Sequence, residues 1–344
     1  MGAHTHGHAT DHRHAGHEHG DHAGHAHGVA ADADRRWLTL ALVLITAFMA
    51  VETGIGIIAG SVALLSDAAH MLTDAAAIVL SLIAVRLAAR PARGGFTYGL
   101  KRAEILSAQA NGASLLLLAG WLGYESVHRL ADPPSVDGRM VFATGLAGIA
   151  VNIAAAWCLS RANRSSLNVE GAFQHILNDL YAFIGTTVSG LVVMLTGFAR
   201  ADALASLAVV VLMLYSGIRL LRASGRVLLE AAPAGVDPDE VGRRLVRHPR
   251  TAEVHDLHVW QITSGEVSLS AHVLVAPDGD CHAVRQELEA VLHEEYGITH
   301  TTLQVDHVRE PQVPGAAAGP GVSVLHCRTA HGLVHRDPVA DASG

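Results

Sequence analysis

The chain is poor in charge and almost without lysine. Of its 344 residues, 16% are charged, and Lys101 is the single lysine. Soluble domains carry about 25% charged residues. Half of this chain is hydrophobic and its mean hydropathy is positive, which is the composition of a membrane protein. Cysteine is scarce: Cys158, Cys281 and Cys327 are too few and too scattered for a disulfide framework. Positive charge is in deficit, and the net charge of −8 argues against nucleic-acid binding. No secretory signal peptide is visible, because the first 28 residues are polar and the first apolar run is too long for an h-region. The pattern H-E-x-x-H is missing, and with it the glutamate base of a helical metalloprotease.

Four regions remain. Residues 1–34 are rich in Gly, Ala, Asp and histidine, with ten imidazoles in that stretch. Such a segment cannot bury a core and is expected to be a disordered tail. Its imidazoles either capture Zn²⁺ or Ni²⁺ weakly or merely solvate. Residues 35–226 hold six apolar stretches, 37–59, 62–88, 103–127, 140–160, 171–198 and 202–221. Each reaches the ~20 residues that a membrane-spanning helix needs. Residues 233–309 read as a soluble α/β domain, and 310–344, rich in Ala, Gly and Pro, as a disordered tail.

Arginine asymmetry orients the spans. Arg35, Arg36, Arg86, Arg90, Arg93, Lys101, Arg102, Arg161, Arg164, Arg219, Arg222 and Arg226 fall on one side, against Arg129, Arg139 and Arg200 on the other. The positive-inside rule then puts both termini in the cytoplasm of a multi-pass inner-membrane protein. In the soluble region, 237–248 and 281–296 have helical spacing, while 254–262, 266–275 and 301–308 read as strands. Thr263-Ser-Gly265 is a hairpin signal between the first two strands. The order αββαβ predicts a small open sheet with helices on one face.

Two motifs carry the chemistry. His70-Met-Leu-Thr-Asp74 and His175-Ile-Leu-Asn-Asp179 each place a histidine and an aspartate four residues apart in an apolar stretch. Positions i and i+4 lie only about 40° apart on a helix, so each pair shares one face. A carboxylate at the centre of a span costs ~2.5–3.5 kcal/mol on the insertion scale, which marks it as functional. Two such helices supply two imidazole nitrogens and two carboxylate oxygens, a tetrahedral set that suits Zn²⁺. Two carboxylates neutralise Zn²⁺, and two protons neutralise them equally well. The alternative is plain hydrogen bonding between helices. Glu52, Gln109, Asn111, Asn152 and Asn178 are further polar groups at membrane depth, lining a watery path or bonding between helices.

Residues 60–74, ending in His70-Met-Leu-Thr-Asp74, resemble the second-helix signature of the cation diffusion facilitator family, zinc-transporting branch. The likeness continues through Tyr98-Gly-Leu-Lys-Arg-Ala-Glu104, the His175/Asp179 pair, Val254-His-Asp-Leu-His-Val-Trp260, 270–275 and 297–305. The resemblance implies six transmembrane helices and a cytoplasmic ferredoxin-like domain, in a homodimer that exports divalent cations from the cytoplasm in exchange for protons. It implies His70, Asp74, His175 and Asp179 as the transport site. It also implies a cytoplasmic regulatory Zn²⁺ shared among His255, His272, His282 and Asp306, where the alternative is ordinary polar residues. Gln304 stands where some members carry another histidine. The 2–3 connection, Gly94-Gly-Phe-Thr-Tyr-Gly-Leu-Lys101, lacks the extra ligands of some members, so no metal site is expected there.

The expected function is proton-coupled antiport, with Zn²⁺ as cargo and Cd²⁺, Co²⁺ or Ni²⁺ as further candidates. Partners are divalent metal ions, protons and membrane lipid. The rival reading is not an enzyme either: a membrane-anchored metal buffer or sensor that uses the histidine-rich tail and the cytoplasmic domain.

Overall fold

The computed structural model describes residues 27–59, 62–133, 138–308 and 332–336, with the side chains of 27–34, 55–56, 58–59, 62–70 and 73 outside that description. Six long helices come first: α1 (His27–Ala59), α2 (Val62–Ala88), α3 (Ala103–Ala131), α4 (Gly138–Ser160), α5 (Leu167–Thr196) and α6 (Ala201–Leu228). Among the described residues, Arg35–Gly54 of α1 and all of α3 to α6 are long and apolar enough to cross a membrane. This is a helical membrane domain, and its apolar side chains face outward as well as inward. Leu117, Trp121, Leu195 and Val211 are all exposed, as lipid-facing residues should be.

Several helices overrun the apolar stretches that signal them, while α2 matches its stretch of 62–88 at both ends. α1 begins inside the segment expected to be a disordered tail, and α5 begins at Leu167 rather than 171. An apolar run marks only the part of a helix that sits in hydrocarbon, whereas caps mark its ends. Ser166 accepts the Val169 N–H at the start of α5, and Gly197, at φ +71°, closes its end in the left-handed region. Residues 1–26 of the expected tail lie outside the described residues.

α4 packs along α5 and α3 along α6, with α1 against α2 and α4. The α4–α5 contact is close. A Cβ on Gly190 would stand 2.7 Å from the Phe142 nitrogen, so the two backbones meet where no side chain intervenes. A core of Leu38, Ile45, Ile78, Leu159, Val169 and Ile176 joins α1, α2, α4 and α5.

The C-terminal α/β domain follows: α7 (Pro238–Val246), β1 (Thr251–Thr263), β2 (Glu266–Val275), α8 (Cys281–Tyr296) and β3 (His300–His307). β1 and β2 are antiparallel, while β2 and β3 are parallel. Val254, Leu269 and Val273 of the sheet pack on Val241, Leu245, Leu288 and Leu292 of the helices. A short β4 (His335–Arg336) pairs with β1 at Glu253 and Val254, giving the order β3-β2-β1-β4. The expectation of a disordered 310–344 therefore needs correction at 332–336. The pairing is fixed by Arg336, whose Nε donates to Glu253 Oε2 at 2.8 Å. The rest of that tail lies outside the described residues.

The β1–β2 turn joins the two domains. Ser264 Oγ accepts the Leu167 N–H at the start of α5 at 3.0 Å. Thr263 Oγ1 donates to Glu104 Oε2 on α3 at 2.8 Å. Lys101 pairs with Glu266, and Arg102 with Glu230 beyond α6. The sheet is thus held at the end of the membrane domain where α2 finishes and α3 and α5 begin.

Candidate metal site

α2 and α5 bring the sequence-predicted residues together. Asp74, His175 and Asp179 each aim one ligand atom at a common point, with those atoms within 4.8 Å of one another. All three are buried: Asp74 is 4%, His175 2% and Asp179 7% exposed. The fourth residue, His70, lies on α2 one turn before Asp74. Its side chain lies outside the described residues.

His175 Nε2 and Asp74 Oδ1 are hydrogen-bonded at 2.6 Å. That bond needs one proton between the two groups, and a cation that takes both atoms must displace it. His175 Nδ1 and Asn178 Nδ2 are buried without a hydrogen-bond partner among the described residues. Glu52 is also buried, on α1. Gln109 Oε1 accepts from Ser224 Oγ at 2.9 Å, tying α3 to α6, and Asn152 bonds to its own helix at Gly148. Gln109 thus bonds between helices, and Asn152 within its own.

A second cluster lies on the sheet. His255 and His272 face each other across β1 and β2, with ring centroids 5.4 Å apart. The third member is Asp256, whose ligand atom lies within 4.8 Å of theirs. His282 and Asp306, expected in this set, do not join it among the described residues. Asp306 accepts from Gln304 Nε2 at 3.0 Å, and His282 is exposed at the start of α8. The reason is register. His272 stands opposite Gln304, and Asp306 lies two residues on, opposite Leu274, about 7 Å further along the strand. Asp256 enters instead because β1 has a bulge between His255 and His258. Its φ of +49° is one of two positive values among the described non-glycine residues, and strained backbone of this kind gathers at functional sites. Two imidazoles and a carboxylate form a donor set that fits Zn²⁺.

Sequence reasoning passed over Asp256, because a bulge leaves no mark in strand alternation. It also passed over Ser81 and Asn168, buried polar residues of α2 and α5. The available signal was spacing: Ser81 is seven residues after Asp74, and Asn168 seven before His175.

Comparison with known proteins places this arrangement. The cation efflux transmembrane domain matches residues 38–229, and the cation efflux protein cytoplasmic domain matches residues 233–308. The chain is similar to a cadmium, cobalt and zinc/H(+)-K(+) antiporter of Bacillus subtilis, 34% identical over 80% of this chain and 89% of that protein. It is similar to the zinc transporter ZitB of Escherichia coli, 34% identical over 89% of this chain and 93% of that protein. It is similar to the metal cation efflux system protein CzcD of Cupriavidus metallidurans, 36% identical over 79% of this chain and 87% of that protein. With both domains matched and the helical site inside the first of them, the chain belongs to the cation efflux, or cation diffusion facilitator, family.

Proposed function

We propose that this chain exports Zn²⁺, and in some measure Cd²⁺, Co²⁺ or Ni²⁺, from the cytoplasm in exchange for protons. The cargo site is His70, Asp74, His175 and Asp179. The observation that carries this reading is the buried convergence of Asp74, His175 and Asp179 from two helices of a membrane domain. Two carboxylates and two neutral imidazoles balance one Zn²⁺ or two protons. The bare, doubly negative site is costly in a low-dielectric span, which disfavours crossing without a cargo and so favours exchange over leak. An ordinary imidazole titrates near pH ~6.5, within reach of an acidic outer face, and metal binding to such a site releases protons. Selectivity rests on geometry and availability, since affinity alone follows the Irving–Williams order.

The frame of this reading is six spans in the inner membrane, both termini cytoplasmic, in a homodimer. Arginine asymmetry supports the orientation, and the cytoplasmic domain described by its family as a dimerisation unit supports the homodimer. His255, Asp256 and His272 form a regulatory Zn²⁺ site in the cytoplasm. The test of the cargo site is zinc uptake by inverted vesicles. His175→Ala and Asp179→Ala each abolish it while the protein stays folded in the membrane; wild-type uptake by either variant would refute the assignment.

A further inference from the structure

The faces that carry the cargo ligands carry a second polar cluster two turns away. Ser81 follows Asp74 by seven residues on α2, and Asn168 precedes His175 by seven on α5. Seven residues bring a helix back to within about 20° of the same face, some 10 Å along its axis. Both displacements run toward the end of the membrane domain that holds the C-terminal domain, where Leu167 donates to Ser264. There the two residues meet. Asn168 Nδ2 donates to the Ser81 carbonyl oxygen at 3.0 Å. Asn111, from α3, donates through Nδ2 to Ser81 Oγ at 3.3 Å. Ser81 and Asn168 are 0% exposed and Asn111 1%.

Helix packing alone gives little reason for this cluster. Asn168 Oδ1 is buried with no hydrogen-bond partner among the described residues, so the amide is only half satisfied where an apolar side chain would cost less. The neighbourhood is built for close approach. A Cβ on Gly171, one turn after Asn168, would stand 3.0 Å from Leu220 Cδ2 and 3.6 Å from Asn111 Nδ2. Among the described residues, the cluster is held by the Asn168–Ser81 and Asn111–Ser81 bonds.

We infer that Asn168, Asn111 and Ser81 form a clasp that closes the α2–α5 seam between the cargo ligands and the C-terminal domain. The clasp must part for a cation from that side to reach Asp74 and His175. These are positioning residues, and the inference rests on the reading of the tetrad as the cargo site.

The test uses full-length protein in sealed vesicles of known orientation, with Cys158, Cys281 and Cys327 replaced. A reporter cysteine is placed by Ala172→Cys, one turn beyond Asn168 on the way to His175. Its rate of modification by the membrane-impermeant reagent trimethylammonium methanethiosulfonate is measured from each side. Asn168→Ala raises the rate from the C-terminal-domain side by about 3- to 18-fold, the range for one hydrogen bond between membrane helices. Asn168→Leu, which keeps the bulk and loses the donor, does the same and covers the case in which alanine fails to fold. Ser81→Ala and Asn111→Ala remove one shared bond, so each raises the rate and the double variant adds nothing further. Rates unchanged by both Asn168 variants, a rise confined to the opposite side, or additive Ser81 and Asn111 effects would overturn the clasp. Proton movement does not enter this readout, so a chain that carries zinc without protons leaves the clasp standing.

Discussion

His175 Nε2 and Asp74 Oδ1 share a proton across 2.6 Å, at the place where a divalent cation would bind. Under the proposed exchange, this one pair of atoms would serve either a proton or a metal ion, with no second binding site needed. The aspartates set the charge and the imidazoles set the geometry. Replacing His175 by alanine removes a neutral ligand, and replacing Asp179 by alanine leaves Zn²⁺ with one uncompensated charge; each drops vesicle zinc uptake to background. The His-x-x-x-Asp spacing made these residues legible, because helical periodicity fixes which side chains share a face. Asp256 was illegible for the opposite reason. Its place beside His255 and His272 comes from a bulge and a left-handed φ, which depend on tertiary pairing. Asp306 stands apart from that cluster because the β2–β3 register sets it opposite Leu274 rather than His272.

At the scale of elements, two junctions carry the strongest consequences. α4 and α5 touch backbone to backbone at Gly190, where a Cβ would stand 2.7 Å from Phe142 N and 3.1 Å from the Gly138 oxygen. Gly190→Ala therefore forces the helices apart, at a cost of about 1–3 kcal/mol for overpacking. It lowers the thermal midpoint in detergent, and an unchanged midpoint would show that the contact is looser than described. α8 starts at Asp280, whose carboxylate accepts the Ala283 and His282 N–H groups. Those bonds hold its pKa below the usual carboxylate range. The folded form has the lower pKa, so the cap is fully stabilising above the ordinary value of about 3.9 and fades as pH falls through the folded value. Asp280→Ala thus destabilises the protein at neutral pH, and the difference from wild type shrinks in acid, as thermal melts across that range would show. Helix existence was legible from apolar run length, and so were both ends of α2, but the start of α5 and the ends of α3 and α6 were not. Ser166 lies outside the apolar stretch of α5, and that helix starts where its hydroxyl accepts the Val169 N–H.

At the scale of the whole molecule, the β1–β2 turn grips the starts of α3 and α5 through Thr263, Ser264 and Glu266. The bond from Leu167 to Ser264 lies one residue from Asn168, so the C-terminal domain is tied directly to the start of α5. Deleting residues 1–34 leaves zinc uptake intact at high metal and lowers its efficiency when metal is scarce. Complete loss of uptake would instead favour the buffer or sensor reading. Domain order and strand sequence were legible from hydropathy and alternation, whereas the docking of the turn was not, because it joins polar residues about 100 residues or more apart in sequence.

One buried site is proposed to carry a metal ion one way and protons the other. The most direct measurement is a proteoliposome that encloses a pH-sensitive dye, with Zn²⁺ added on the side of the C-terminal domain. Zinc entry is expected with matched alkalinisation of the lumen, both absent in Asp179→Ala. Zinc entry that moves no protons and persists without a pH gradient would contradict it.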